Sequence, residues 1–590
     1  MPALTIDNHR VEVPEGTTIL DAAKKAGINI PTLCYLEDVQ AIGACRVCLV
    51  EVEGAKNLVA SCVTPATESM KVLTNSRRAR NARRTVVELM LSDHEGDCQI
   101  CDRNGSCELQ NLAQELGIRE IAYPGEKSRG ILDASTPALL RDTAKCILCR
   151  RCVTVCGQIQ GVAALFPQSR GFKSVVGPAF SSTLQDVVCV QCGQCAAACP
   201  VGAISEKSHT EAVWNALDDP EKFVIVQTAP AIRAALGECF GYPPGTLVTG
   251  KMVAALRQLG FDRVFDTNFT ADLTIIEEGT ELLTRLKKAL ADKGEVALPQ
   301  YTSCCPAWIK YAEHFYPELL PNLSTCKSPQ QMFGATAKTF FAKKIGKKPE
   351  EIFVVSVMPC TAKKYENQRP EMIDSGVRDV DAVLTTRELG QIIKQAGIDF
   401  RILPDEKMDS IMGMSTGAAD IFANTGGVME AALRTAYEIV SGKPLPFENL
   451  RVKPIEGLEG VKEASLEIPE TVPEWSFLKG AILKVAVAHG LGNAKKVIEE
   501  IKAGRASYHF VEIMSCPGGC IGGGGQPRLT NNEIRRARAQ AIYKEDEGKK
   551  IRKSHDNPEI KQIYEEFFGK PLGKKSHHLL HTNYRARERV

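Results

Sequence analysis

The sequence predicts an α+β protein of several domains, and three observations carry that prediction. The chain has 590 residues, and single cores rarely grow past about 250 to 300. Its 22 cysteines are unevenly spread, with fifteen in tight groups before residue 200 and seven scattered beyond. Past Val201, the runs FVIVQTAP, ALPQYTSCCP, FVVSVMPC and KVAVAHG alternate with amphipathic helical segments, an α/β signature.

A formal net charge of +2 with mixed signs carries no polyanion bias, so nothing points to nucleic acid. The start, MPALTIDNHRVEVPEG, alternates like a first strand and lacks the basic and apolar regions of a secretion signal. No window approaches the roughly 18 consecutive apolar residues of a membrane span. The expected location is the cytoplasm, with no membrane contact. Thiols stay reduced there, so this many cysteines imply metal ligation.

Five units follow in order. Residues 1–78 read as short strands around one helix over 19–26, a compact β domain closing on the basic run 77–84. Residues 79–125 are helical on both sides of a cysteine loop. Residues 126–208 hold two cysteine runs about 43 residues apart in the sequence, an internal duplication. Residues 209–530 form the α/β part. Residues 531–590 are charged and helical, with aromatic anchors in IYEEFFGKPL, and are expected to wrap a core formed elsewhere.

Cys34, Cys45, Cys48 and Cys62 follow C-x10-C-x2-C-x13-C, similar to the loop-plus-distant-cysteine arrangement of plant-type [2Fe-2S] ferredoxins. Gly43 and Ala44 let that loop approach closely. A zinc ribbon or free thiols is the alternative, although ribbons pair two CxxC knuckles and only one is present. His94, Cys98, Cys101 and Cys107 read H-x3-C-x2-C-x5-C. A histidine near cysteines is often structural, yet three cysteines without a fourth leave one cubane position for an imidazole; a Cys3His zinc site stays open.

Cys146, Cys149, Cys152 and Cys156 repeat the spacing of Cys189, Cys192, Cys195 and Cys199. Both are C-x2-C-x2-C-x3-C, the two-cluster ferredoxin run in which each fourth cysteine serves the other cluster. Gly157 stands where the second run has Pro200, and no ligand is lost. The front third therefore reads as an electron wire of one [2Fe-2S] and three [4Fe-4S] clusters, and its terminus must lie in the α/β part.

Three loops there carry cysteines: TSCCPAW at 302, MPCTAKKYE at 358 and MSCPGGCIGGGGQP at 514. Cys305, Cys360, Cys516 and Cys520 make four thiolates for one more cubane and leave Cys304 over. The first two loops follow expected strands, at the carboxyl ends where α/β folds build sites. These loops closely resemble the three signatures of the [FeFe]-hydrogenases, with Ser515 where alanine is common. The resemblance extends to the front wire and to HDNPEIKQIYEEFFGKPL and HHLLHTNY near the end of the sequence.

The resemblance implies an N-terminal β-grasp [2Fe-2S] domain, a small His/Cys3 domain, a two-cluster ferredoxin domain and an α/β domain for the H-cluster. It implies that Cys305, Cys360, Cys516 and Cys520 hold the cubane of that H-cluster, with Cys520 bridging to a diiron unit bearing CO, cyanide and azadithiolate. Lys363 is implied as a buried contact to cyanide, whereas pattern alone makes it a solvated loop lysine. Met358, Pro359 and Met514, with Ala229, Pro230, Ser328 and Gln330, are implied to complete the pocket. Ala231 stands where some relatives offer a serine hydroxyl.

The implied reaction is reversible interconversion of H2 with protons and electrons. Cys304 matches the position that exchanges a proton with the cofactor amine, followed by Glu278, Ser324, Glu281 and Arg285. Glu278, Glu281 and Arg285 fall at i, i+3 and i+7, on one face of a helix opposite Leu273, Ile276, Leu283 and Leu286. Pattern alone makes such a stripe a solvated face.

KVAVAHGLGNAKKVIEEI resembles a dinucleotide fingerprint, but Lys495 occupies the third glycine position and no acidic residue has a ribose role. GGGG at 522–525 fits close backbone passage instead. Cys239 and Cys326 read as buried hydrophobes, and His577, His578 and His581 as structural. Without a nucleotide site, use of NAD(H) or NADP(H) requires flavin-containing and iron-sulfur partner subunits, as in cytosolic electron-bifurcating hydrogenases. A stand-alone ferredoxin-dependent enzyme, an electron-relay subunit and an H2 sensor are the alternatives. The relay subunit leaves the three back loops unexplained, and sensory relatives tend to lose the cysteine that Cys304 retains. An oxygen-sensitive, anaerobic enzyme is expected.

Overall fold

Strands β1 (Ala3–Ile6), β2 (His9–Glu12), β3 (Leu49–Val52), β4 (Val59–Ala60) and β5 (Lys71–Leu73) form a sheet in the order β2-β1-β5-β3-β4. Helix α1 (Ile19–Lys25) packs Ile19, Leu20, Ala22 and Ala23 onto it, started by the Thr18 hydroxyl accepting from the Asp21 amide. The structure is a computed structural model, and residues 1–128 and 130–589 are described.

Helix α2 (Arg77–Asp93) takes up the basic run in its first turns, capped by Ser76. Its Arg83 is buried and donates to the carbonyls of Leu49 and Thr74, tying the helix to the first sheet. Helix α3 (Glu108–Glu115) follows the cysteine loop. Next come β6 (Leu132–Asp133), β7 (Leu139–Asp142), α4 (Arg151–Thr154), β8 (Phe166–Gln168), β9 (Val175–Gly177), α5 (Gln194–Ala198) and β10 (Ile204–Glu206), with sheets β10-β7-β6 and β8-β9.

After α6 (Thr210–Leu217), two four-stranded sheets organise the rest. Strands β11 (Phe223–Thr228), β12 (Arg263–Asp266), β14 (Ile352–Met358) and β15 (Ala382–Thr385) lie parallel in the order β12-β11-β14-β15. FVIVQT and IFVVSVM are buried nearly throughout, as a sheet covered on both faces requires. The second sheet is β13 (Gln300–Tyr301), β18 (Phe510–Met514), β17 (Ala481–His489) and β16 (Val461–Ile468), with only β16 antiparallel. The expected strand ALPQYTSCCP shrinks to two residues, since Pro299 has no N–H for a ladder.

The longest helix, α8 (Thr267–Leu290), runs between the sheets, capped by Asp266 accepting from the Asn268 amide. Helices α7 (Thr249–Gln258), α9 (Pro306–Phe315) and α10 (Pro329–Thr336) complete the surroundings. The last described segment holds helices at Asn532–Gly548, Pro558–Ile563 and Lys574–Leu580, and its Ile560, Ile563, Tyr564, Phe568, Leu579 and Leu580 join the core of the β12-β11-β14-β15 sheet. Among the described residues, no helix is long and apolar enough to cross a membrane.

Candidate active site

Each of the three back loops leaves the carboxyl end of a strand: Cys305 after β13, Cys360 after β14, and Cys516 and Cys520 after β18. They converge on a cavity of about 760 Å3 lined by these four cysteines and Cys304, together with Ala229, Pro230, Gln330, Met358, Pro359, Lys363 and Met514. Ser328 stands one step behind, its hydroxyl donating to Glu366 Oε2 at 2.8 Å. Thr267, Ala271 and Phe422 also line the cavity. No local motif marks these three, because tertiary packing of α8 and the 422 loop delivers them.

The donor set fits an iron-sulfur cubane. Burial pushes the thiols of Cys305 and Cys360 up, and those of Cys516 and Cys520 to about 12. Such cysteines stay protonated unless a metal holds the thiolate form. The Ser515 amide points at Cys305 Sγ at 3.4 Å, the kind of contact that stabilises a ligating sulfur. Gly523 and Gly524 show why the glycine run is needed: a Cβ on them would lie 2.1 Å from the Pro359 carbonyl oxygen and 2.2 Å from that of Cys192.

Lys363 is buried rather than solvated, donating from Nζ to the Cys304 carbonyl at 3.0 Å and to Glu366 Oε2 at 2.9 Å. Glu366 was not singled out from sequence, yet its Oε2 also accepts from Gln330 Nε2 at 3.1 Å. A buried carboxylate thus holds two cavity residues, Lys363 and Gln330, from behind, together with Ser328.

The charged stripe on α8 is buried too, because α10, the helix Gly427–Ser441 and the last segment enclose it. Glu278 is 1 % exposed and neither carboxylate oxygen has a hydrogen-bond partner. Burial first, then the neighbouring Glu281 charge, pushes it up to about 8. Burial and Glu278 likewise push the Cys304 thiol well up. Ser324 Oγ donates to Glu281 Oε2 at 2.8 Å, and Arg285 Nη2 donates to Glu281 Oε1 at 2.7 Å. Arg285, only half-buried, also reaches the carbonyls of Leu323 and Pro321 at 2.9 and 3.1 Å. The structure thereby gathers Glu278, Ser324, Glu281 and Arg285 between the cavity and the surface.

Glu277, the next residue along, carries its own buried contacts to His581 Nε2 at 3.1 Å and the Leu572 amide at 2.8 Å. His581 is buried and His577 stacks on it from the surface, while Cys326 is fully buried. Cys239 is only half-buried.

In the front, Cys146, Cys149, Cys152 and Cys199 share one pocket, and Cys156, Cys189, Cys192 and Cys195 another, so the fourth cysteines cross over. The second pocket adjoins the main cavity: Thr361 Oγ1 donates to the Gln191 carbonyl at 2.8 Å and Gln194 Nε2 to that of Gly522 at 2.8 Å. Gln40 Nε2 joins the Cys34 carbonyl at 2.7 Å to the Cys149 carbonyl at 3.2 Å, linking the first sheet domain to the outer pocket. Cys48 Sγ lies 3.4 Å from Cys62 Sγ, and the amides of Cys34 and Cys45 point at each other's sulfur.

Near the third group, a Cβ on Gly202 would lie 2.7 Å from Cys101 Sγ. His94 Nε2 is buried with no hydrogen-bond partner, while Nδ1 faces the Gly96 amide at 3.1 Å. A buried ring nitrogen left free in this way suits a metal ligand.

The dinucleotide-like turn is blocked. Cβ atoms on Gly490 and Gly492 would meet the Ile159 carbonyl oxygen at 3.3 and 3.0 Å, so the ferredoxin-like part already fills the helix start where a pyrophosphate would sit.

Comparison with known proteins accords with this geometry. Residues 222–524 match the iron only hydrogenase large subunit, C-terminal domain, and 532–587 the iron hydrogenase small subunit. Residues 3–77 match a 2Fe-2S iron-sulfur cluster binding domain, 83–122 an NADH-ubiquinone oxidoreductase-G iron-sulfur binding region, and 145–203 a 4Fe-4S dicluster domain. The NADP-reducing hydrogenase subunit HndD of Solidesulfovibrio fructosivorans is 53% identical over 100% of both chains. Iron hydrogenase 1 of Clostridium pasteurianum is 41% identical over 99% of this chain and 100% of its own. A solved [FeFe]-hydrogenase of Chlamydomonas reinhardtii superposes with a TM-score of 0.58 at 45% identity, covering 64% of this chain and 99% of that one. The chain belongs to the iron-only hydrogenase family: it is a multidomain oxidoreductase with 2Fe-2S, 4Fe-4S and H-cluster domains.

Proposed function

We propose that this chain is the H2-converting subunit of an NAD(P)-linked assembly, cytoplasmic and electron-bifurcating, with flavin-containing and iron-sulfur partner subunits and ferredoxin as electron carriers. The likeness to a relative named an NADP-reducing hydrogenase subunit over the full length of both chains supports the assembly. The blocked turn at Gly490 and Gly492 supports placing the nucleotide site on a partner.

The observation that carries the reaction is the convergence of five cysteines on one apolar cavity, four for a cubane and one beside a buried carboxyl group. The reading assigns one [2Fe-2S] cluster to Cys34, Cys45, Cys48 and Cys62, and [4Fe-4S] clusters to the His94 group and the two crossed pockets. Cys305, Cys360, Cys516 and Cys520 hold the H-cluster, which supplies the redox iron and the basic amine at which H2 is cleaved or formed.

The chain's own residues then have separable tasks. Lys363, braced by Glu366, presents an ammonium to cyanide; Met358 and Met514 wall the cavity and exclude water. Cys304 passes the proton to Glu278, and Ser324, Glu281 and Arg285 carry it outward. Gly524 and Gln194 keep the wire against the site. The test is H2 evolution from reduced viologen by protein carrying the full cluster, with copurification of a flavoprotein subunit. Inactivity at full cluster content rejects the reaction, and isolation of an active single chain without a flavoprotein rejects the assembly.

A further inference from the structure

With its helix start blocked, the fingerprint-like turn in KVAVAHGLGN is left without a nucleotide, and its histidine points to a different task. His489 is the last residue of β17 and pairs in the ladder with Met514, which lines the cavity. Its ring is 7 % exposed and both nitrogens are engaged. Nε2 faces the Leu458 carbonyl at 3.1 Å, and Nδ1 faces the Gly518 amide at 3.1 Å. A carbonyl only accepts and an amide N–H only donates, so Nε2 carries the proton and Nδ1 is the bare acceptor.

Gly518 lies midway between Cys516 and Cys520, and its peptide groups are gripped from two sides. Its amide donates to His489, and its carbonyl accepts from the Thr425 amide at 3.0 Å. Gly518 and Gly519 have φ of +78° and +90°, so the loop doubles back in a conformation that glycine alone adopts easily. A Cβ on Gly519 would lie 2.6 Å from the Thr425 nitrogen and 2.9 Å from Met514 Sδ, which leaves no slack on that side. Thr425 is fixed in turn, since buried Lys462 donates to its carbonyl at 3.1 Å and the next amide, of Gly426, donates to Glu512 Oε1 at 2.6 Å. Among the described residues, His489 is the one side chain bonded to the backbone of residues 517–519.

We propose that His489 is a positioning residue for the Cys516–Cys520 loop and sets, through the Gly518 amide, where the Cys520 sulfur stands in the cavity. Two bonds on opposite sides of Gly518 fix the loop midway between its cysteines, and Cys520 follows two residues later. Held at the cysteines but free between them, the loop could turn, and the sulfur assigned to both parts of the cofactor would lose its single position. His489 acts through the loop and touches neither substrate nor cofactor. The inference rests on the reading that Cys516 and Cys520 hold the H-cluster.

The test uses the full chain with every cluster loaded, read by the infrared bands of carbonyl and cyanide and by the rate at which the diiron unit is lost. His489→Phe keeps an aromatic ring but no acceptor. Its bands should shift and broaden, and the diiron unit should leave about tenfold faster at unchanged [4Fe-4S] content. His489→Asn, whose amide oxygen can stand at the Nδ1 position, should restore both. Lys462→Met loosens the Thr425 side of the grip without touching the ring, and should move the same bands. Wild-type bands and retention in a folded His489→Phe chain overturn the inference, and so does a variant that only lowers the urea midpoint, since the grip would then serve folding alone. Where His489→Phe fails to fold, unmoved bands in Lys462→Met overturn it. A Cys520→Ala chain that still retains the diiron unit rejects the ligand assignment itself, apart from the role of His489.

Discussion

Ser324 Oγ donates to Glu281 Oε2 at 2.8 Å with both groups buried, the closed link in the proposed proton route. Ser324→Ala removes that hydroxyl while Glu281 keeps Arg285 and the Thr325 amide. H2 evolution from reduced viologen should fall ~100-fold at unchanged iron content. Ser324→Thr should recover most of it, and an alanine variant at wild-type rate would remove Ser324 from the route.

Cys304 is the thiol left over once four are counted for the cubane, and it lines the same cavity. Cys304→Ala should assemble every cluster, by iron content and spectra, yet lose ~100-fold to 10,000-fold in turnover. Near-normal turnover would mean that protons reach the cavity elsewhere.

The raised pKa of Glu278, about 8, gives the rate a pH signature with a definite sign. Below that value the carboxyl group carries a proton to hand on, so H2 evolution should fall as pH rises through about 8, whereas H2 uptake should rise. The same shift makes folding stability decline between the ordinary carboxyl range and about 8, because the folded state holds a proton that the unfolded chain has released. Glu278→Gln should abolish the pH dependence together with most of the activity. A pH profile unchanged in the glutamine variant would assign the titration to another group.

Glu366→Gln leaves the Lys363 ammonium buried without its counter-charge, facing only neutral acceptors such as the Cys304 carbonyl. The expected loss is about 3 kcal/mol in urea unfolding, accompanied by shifted cyanide bands in the infrared spectrum of the loaded enzyme. Unmoved bands would detach Lys363 from the diiron ligands.

Gly524→Ala places a methyl 2.2 Å from the Cys192 carbonyl oxygen, so backbone on one side must move. Reduced cluster content and slow electron delivery at intact Cys304 chemistry are expected, read as a lower viologen-driven rate with normal hydrogen-deuterium exchange. Equal losses in both assays would place the damage in the cavity itself.

What was legible in the sequence follows from what local spacing encodes. Cysteine intervals are fixed by cluster geometry, and strand runs by the need to bury both faces, so the two-cluster runs and FVIVQT or IFVVSVM could be read directly. The α8 stripe could not. Charges at i, i+3 and i+7 look the same on a solvated helix, and only packing by α10 and by segments more than a hundred residues away buries Glu278 and Glu281. Glu366 escaped for a related reason: a glutamate one turn after a lysine suggests a surface pair, and its other two buried donors, Ser328 and Gln330, come from a segment more than thirty residues away. Phe422 and Ala271 carry no chemical signal at all, since a cavity wall needs shape more than residue type. His94 was undecided on spacing, and its free buried nitrogen is visible only in three dimensions.

The backbone contact of Gly524 with Cys192 has one more consequence. Where Gly524 meets Cys192 the wire lies backbone on backbone against the catalytic part, so main-chain packing there helps to set the gap an electron must cross. Substitutions around the clusters can make a jump uphill or downhill, but they have little leverage on its length. Evolution of this enzyme's direction and driving force is thereby decoupled from its tunnelling distance.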